Sequence, residues 1–104
     1  WLMAKKVSKI IWSPLAERQY LNIKDYLLEE FSQRELVNFN VMLQKFEIVV
    51  RKYPDAYPET SFKKNLRRAV LNKVVSVFYQ VKGKEILIVS VYDNRQDFRS
   101  KLKN

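Results

Sequence analysis

Apolar positions change their period twice along the chain, and the changes divide it into segments. Val7 to Trp12 is a short run of β-branched and aromatic residues closed by Ser13-Pro14. That pattern predicts a strand leading into a helix, because serine caps helix N-termini and proline loses no helical hydrogen bond in the first turn. From Pro14 to about Phe31, the residues Ala16, Tyr20, Ile23, Leu27 and Phe31 recur at steps of four, three, four and four, which places them on one helical face. The opposite face carries Arg18, Lys24, Asp25 and Glu29. Ser32-Gln33-Arg34-Glu35 then has the spacing of a capping box, in which the serine accepts from the N3 amide and the glutamate reaches back. Leu36, Phe39, Leu43, Phe46, Val50 and Tyr53 predict a second helix that Pro54 stops. With one or two residues between them, the helices are expected to form an antiparallel hairpin. The same spacing suits a coiled coil, but about three repeats is short for one, and a packed core face is the simpler reading.

After Pro54-Asp55-Ala56-Tyr57-Pro58 the texture becomes β-branched. Ala69 to Leu71, Val74 to Val81 and Glu85 to Tyr92 read as three strands, the last two joined by Lys82-Gly83-Lys84 with the only glycine at the bend. Val75, Val77, Tyr79 and Val81 alternate with Val74, Ser76, Phe78 and Gln80, so one face of this strand packs on something apolar. The helical hairpin supplies that surface. The expectation is therefore a two-layer α+β domain in the order βααβββ, with an N-terminal strand and a three-stranded antiparallel meander.

The chain of 104 residues fits one domain, 1–104. Met3-Ala4-Lys5-Lys6 reads like a native start, and Trp1 and Leu2 are left out of the reading for that reason. There is no Cys and no His, which removes disulfides, Cys/His zinc sites, cysteine nucleophiles and imidazole-dependent triads. No cofactor is expected. No apolar run approaches a membrane span, and a soluble cytoplasmic protein is the expectation. The formal charge is +9. From Pro14 to Tyr53 six cations face six acids, so the helical hairpin is neutral and does not resemble a basic membrane-surface helix. The excess lies elsewhere: between Glu59 and Glu85 stand Lys63, Lys64, Arg67, Arg68, Lys73, Lys82 and Lys84 without a single acid. Such a set on one small sheet attracts phosphates or an acidic polypeptide. Tyr79, Tyr92 and Phe98 have rings that could stack on bases, although aromatic residues in strands more often pack in cores.

Three stretches carry a likeness to a known family: IIWSPLAERQYLNIKDYL beginning at Ile10, NLRRAVLNKVVSVFYQV from Asn65 to Val81, and ILIVSVYDNRQDF from Ile86 to Phe98. Together with the order of elements they resemble the RelE/ParE superfamily of bacterial toxins, in the branch whose last strand ends in D-N-R-Q-D. The resemblance implies a toxin of a type II toxin–antitoxin pair, held silent by a cognate antitoxin in a hetero-oligomer. It also implies one of two targets. Some relatives cleave messenger RNA on the ribosome, and others inhibit DNA gyrase without chemistry.

Cleaving RNA through its 2′-OH needs a proton acceptor, a proton donor and cations that stabilise charge developing at phosphorus. The resemblance makes Arg67, Arg68, Lys73 and Arg95 the candidates for the last role; with Lys63 and Lys64 of the acid-free run and the Phe98 ring, they make up the surface expected to grip target or antitoxin. Three departures stand out. Ser76 replaces an arginine, Phe98 replaces the proline after Q-D, and no tyrosine follows Tyr92. The catalytic set is incomplete, which favours gyrase inhibition; ribosome-dependent endonuclease activity and a non-toxic nucleic-acid-binding module are the alternatives.

Overall fold

A computed structural model describes Val7 and residues 9–95. The elements follow the expected order: β1 (Lys9–Trp12), α1 (Pro14–Glu30), α2 (Gln33–Lys52), β2 (Arg67–Val70), β3 (Val75–Lys82) and β4 (Glu85–Asp93). Ser13 caps α1 by accepting from the Ala16 amide at 3.0 Å, with Pro14 in the first turn. Ser32 caps α2 through the Glu35 amide at 3.3 Å. The other half of the expected box is redirected, because the Glu35 carboxylate lies 3.5 Å from Arg95.

The four strands form one sheet in the order β1-β4-β3-β2. β2, β3 and β4 make the expected antiparallel meander, and β1 adds to it in parallel beside β4, so the sheet is mixed. Gly83 sits at φ 60 in the β3–β4 turn, where a residue with a Cβ would be strained. Ile23 and Leu27 of α1, Phe39, Phe46 and Val50 of α2, and Val75, Val77, Tyr79, Ile86, Ile88 and Val91 of the sheet form one core.

A bulge keeps β4 in that core. Phe78 pairs with Ser90 but Tyr79 pairs with Ile88, leaving Val89 as the extra residue. Without it, strict alternation from Ile86 and Ile88 would turn Val91 and Asp93 to the other face; with it all four are buried. The N-terminal half of α1 holds the bulge. The Ser13 hydroxyl donates to the Val89 carbonyl at 2.8 Å, and Gln19 Oε1 accepts from the Ser90 hydroxyl and the Val91 amide at 3.0 and 2.9 Å.

Several expected limits move. β1 begins at Lys9 rather than Val7, whose amide instead donates to the Arg51 carbonyl at the end of α2. β2 runs over Arg67–Val70 rather than Ala69–Leu71, since the Leu71 amide already closes a turn onto Val75, while Arg67 gains a bridge to Glu59. Phe31 and Tyr53 are exposed instead of completing the core stripes. Each is the residue at which its helix ends, with backbone angles outside the helical region, so the helical period no longer governs it. Tyr26 takes a core place that the stripe of α1 did not include.

Candidate functional site

Both helices pack on one face of the sheet, and alternation puts Arg68 and Val70 of β2, Ser76, Phe78 and Gln80 of β3, and Tyr92 of β4 on the other. Arg68 is exposed on this outer face, on the edge strand β2. Its guanidinium lies 5.8 Å from the centroid of Phe78, its cross-strand partner, and reaches back to 3.5 Å from the Ser76 hydroxyl. Phe78 in turn meets Phe62, which is 73% exposed, at 6.5 Å between centroids. A cation thus rests beside two aromatic rings on an open sheet, an arrangement suited to phosphate and to flat or apolar partner groups.

Lys63 and Lys64 stand next to Phe62 in the loop before β2. Thr60 closes that loop onto Lys63, and Asn65 turns it at φ 61, with its amide on Glu59 at 2.6 Å. Lys73 is exposed in the β2–β3 turn at the far end of the sheet, where Asn72 accepts from the Val74 and Val75 amides. Lys63, Lys64, Arg68 and Lys73 form no ion pair among the described residues.

The other two cations are committed internally. Arg67 points to the helix-facing side of β2, donates to the Tyr57 carbonyl at 2.6 Å and lies 3.6 Å from Asp55, tying the loop after α2 to the sheet. Arg95 grips Asp93 with two hydrogen bonds of 3.2 and 2.9 Å, approaches Glu35 at 3.5 Å and covers the Phe31 ring at 4.8 Å. The Asp93 side chain is fully buried and that of Arg95 is 25% exposed. Its guanidinium pKa, already high, is raised further, first by the hydrogen bond it donates to Asp93. The candidates therefore occupy separate places: Arg68 on the outer face with Lys63 and Lys64 beside it, Lys73 at one end, Arg67 on the inner side, and Arg95 at the helix junction. Phe98 lies outside the described residues.

Tyr79 belongs to the core rather than to a stacking surface. Its hydroxyl donates to the Pro54 carbonyl at 2.8 Å, and burial pushes its pKa up to about 12 against smaller opposing effects from the Tyr57 backbone and Arg67. It is a poor proton acceptor at neutral pH. Phe62 and Phe78 are the outer-face aromatics that the sequence did not single out. For Phe78 the alternation with Val77 and Tyr79 carried the signal; for Phe62, in an irregular loop, none did. Among the described residues no group of His, Cys, Asp or Glu could hold a metal ion, and no helix is long and apolar enough to cross a membrane.

No family profile and no curated protein sequence matches the chain. Solved structures do. A chromosomal ParDE toxin–antitoxin system from P. aeruginosa is similar with a TM-score of 0.70 at 17% identity, over 85% of this chain and 97% of that one. A copper-bound mutant toxin from Helicobacter pylori matches with a TM-score of 0.62 at 17% identity, over 85% and 96% of the two chains. A conserved hypothetical protein from the same organism gives 0.55 at 18% identity, over 84% and 94%. Together with the strand order and the helical hairpin on one face, these likenesses show that the chain has the fold of those structures, the fold that the sequence resemblance implied.

Proposed function

We propose that the protein is the toxin of a type II toxin–antitoxin module and arrests growth by binding its target, in the manner of a ParE-type inhibitor of DNA gyrase, without cutting nucleic acid. The observation that carries this reading is the fate of the four candidate phosphate ligands. Arg67 and Arg95 are bound to internal acceptors, which leaves Arg68 and Lys73 as open cations on different parts of the molecule. A transition-state cradle needs several donors converging on one phosphorus. An exposed arginine beside Phe78 and Phe62, with two lysines close in the chain, suits a binding surface instead. An antitoxin of acidic or amphipathic character would cover that surface and silence it.

One observation favours the nuclease alternative. Arg68 reaches the hydroxyl of Ser76, so its guanidinium stands over the position where the resemblance expects an arginine. A diagonal neighbour supplies the missing charge there.

Inducing the chain alone in bacterial cells tests both readings. The binding reading predicts growth arrest, loss of gyrase supercoiling in vitro and messages without codon-phased breaks by primer extension. Codon-phased breaks would replace it with the nuclease reading. Unharmed growth would remove both and favour a non-toxic module. A neighbouring short gene, acidic in its C-terminal half, should restore growth when co-expressed.

A further inference from the structure

Away from the basic sheet, the junction of β1 with the helical hairpin holds a cleft of about 500 Å³ lined by Trp12, Glu17, Tyr20, Leu21, Gln44 and Glu47, among others. Its aromatic wall is fixed. Trp12 Nε1 donates to Glu47 Oε2 at 3.0 Å, its ring meets the Tyr20 ring edge-on at 6.0 Å, and the Tyr20 hydroxyl donates to Asn40 Oδ1 at 2.7 Å. Glu17 and Glu47 are the carboxylates of the cleft. In a chain carrying twenty Lys and Arg, neither has a cationic partner among the described residues.

We infer that this cleft receives an arginine side chain from a partner polypeptide. Two carboxylates beside an indole and a phenol ring match a guanidinium, which is flat, weakly hydrated and rich in donors, and which stacks on tryptophan. The Trp12 hydrogen bond orients Glu47 before anything binds and leaves its second oxygen to accept. The surroundings argue for a side chain on a polypeptide over a free amine. The cleft opens to solvent, and Leu21 on its rim is 52% exposed. On α2, exposed Val41 and Ile48 lie on the same helical stripe as Gln44, at steps of three and four. A small cation would leave those apolar groups wet, whereas a chain presenting arginine would cover them. The inference is independent of the proposed target, because it concerns the neutral helical hairpin and not the outer sheet face.

The test uses the full chain and a random twelve-residue peptide library displayed on phage, selected on this protein and counter-selected on the Glu17→Gln/Glu47→Gln variant. Binders retained only by the unsubstituted protein are expected to share an arginine. Against the protein's net charge of +9, nothing in the long-range field enriches such peptides. For a synthetic binder, replacing that arginine with neutral citrulline, or Glu47 with Gln, should weaken binding about tenfold, as for a lost charge-assisted contact. The Trp12 indole N–H resonance should shift on binding, and unchanged thermal unfolding of Glu47→Gln shows that the loss is local. Selected peptides without basic residues, equal binding of the citrulline form, or an unmoved Trp12 resonance would overturn the inference. Agmatine binding as tightly as the peptide would refute the polypeptide origin of the group.

Discussion

Replacing Arg95 with alanine removes the only guanidinium that reaches the buried carboxylate of Asp93 among the described residues. One acceptor role of Asp93 survives, the bond from the Arg95 backbone amide at 2.9 Å. The charge itself is left uncompensated in a site that water does not reach, which for a fully buried pair costs about 3–5 kcal/mol. Arg95 is 25% exposed and its second partner Glu35 is 40% exposed, so part of the interaction is screened. The lost cover over the Phe31 ring, about 0.5–1 kcal/mol, works the other way. A net cost of about 2–3 kcal/mol follows, equivalent to a fall in Tm of about 10–20 °C for a domain of this size. Unfolding followed by circular dichroism reads the loss directly. Asp93→Asn in the Arg95→Ala background should recover most of it, because the stranded charge is gone. Growth arrest should decline with the folded fraction and return at lower temperature. If Arg95→Ala abolishes arrest while Tm stays within 2–3 °C, about the effect of an ordinary surface substitution, then Arg95 serves the target surface and its internal role on Asp93 is wrong.

The adjacent arginines of β2 should separate cleanly. Arg68→Gln is expected to abolish growth arrest with a stability change under about 1 kcal/mol, while Arg67→Gln, which strands the Tyr57 carbonyl, should cost about 1–3 kcal/mol in urea unfolding with activity following stability. Tyr79→Phe tests the alkaline limit. The folded pKa of about 12 lies above the ordinary value of 10.0, so the neutral form is preferred in the fold; that stability is complete below pH 10 and disappears as pH rises through 12. Its full size is about 3 kcal/mol, and the phenylalanine variant should show a flatter stability profile over that interval in pH-dependent unfolding. Gln19→Ala removes the acceptor of the Val91 amide at the bulge and should cost about 1–3 kcal/mol; an unchanged urea midpoint would deny Gln19 any part in holding β4.

Local pattern was enough for what local physics decides. The two helices, their serine caps and the β3–β4 hairpin are set by side chains within a few residues of one another, and the sequence period shows them directly. Pairing of β1 with β4 is different. It joins residues more than seventy positions apart, and nothing in Lys9–Trp12 names its partner, so the parallel edge strand could not be read. The bulge at Val89 is equally silent, because the run ILIVSVYD is apolar enough to hide a change of phase. The shifted pairing with β3 and the burial of both Ile88 and Val91 reveal that the alternation has been reset.

For the site, counting charges located the basic region but could not tell open cations from closed ones. Arg67 and Arg68 are neighbours in sequence with identical chemistry, yet strand alternation sends one inward to Tyr57 and Asp55 and the other outward over Phe78. A guanidinium already bidentate on a carboxylate has given up its donors and most of its field, so Arg95 adds little attraction for a passing phosphate despite its formal charge. Among the candidate residues, the attraction left comes from Lys63, Lys64, Arg68 and Lys73, spread over one loop, one face and one turn. Spread charges of this kind raise the encounter rate and orient a large partner, but they do not converge on one reacting atom. For that reason Arg68→Gln should lower the association rate with the target, and make it less sensitive to salt, while Arg67→Gln leaves both unchanged in the protein that remains folded. Equal rate effects from the two substitutions, measured by stopped-flow at two ionic strengths, would show that both arginines face the target and that the inward path of Arg67 is not kept in solution.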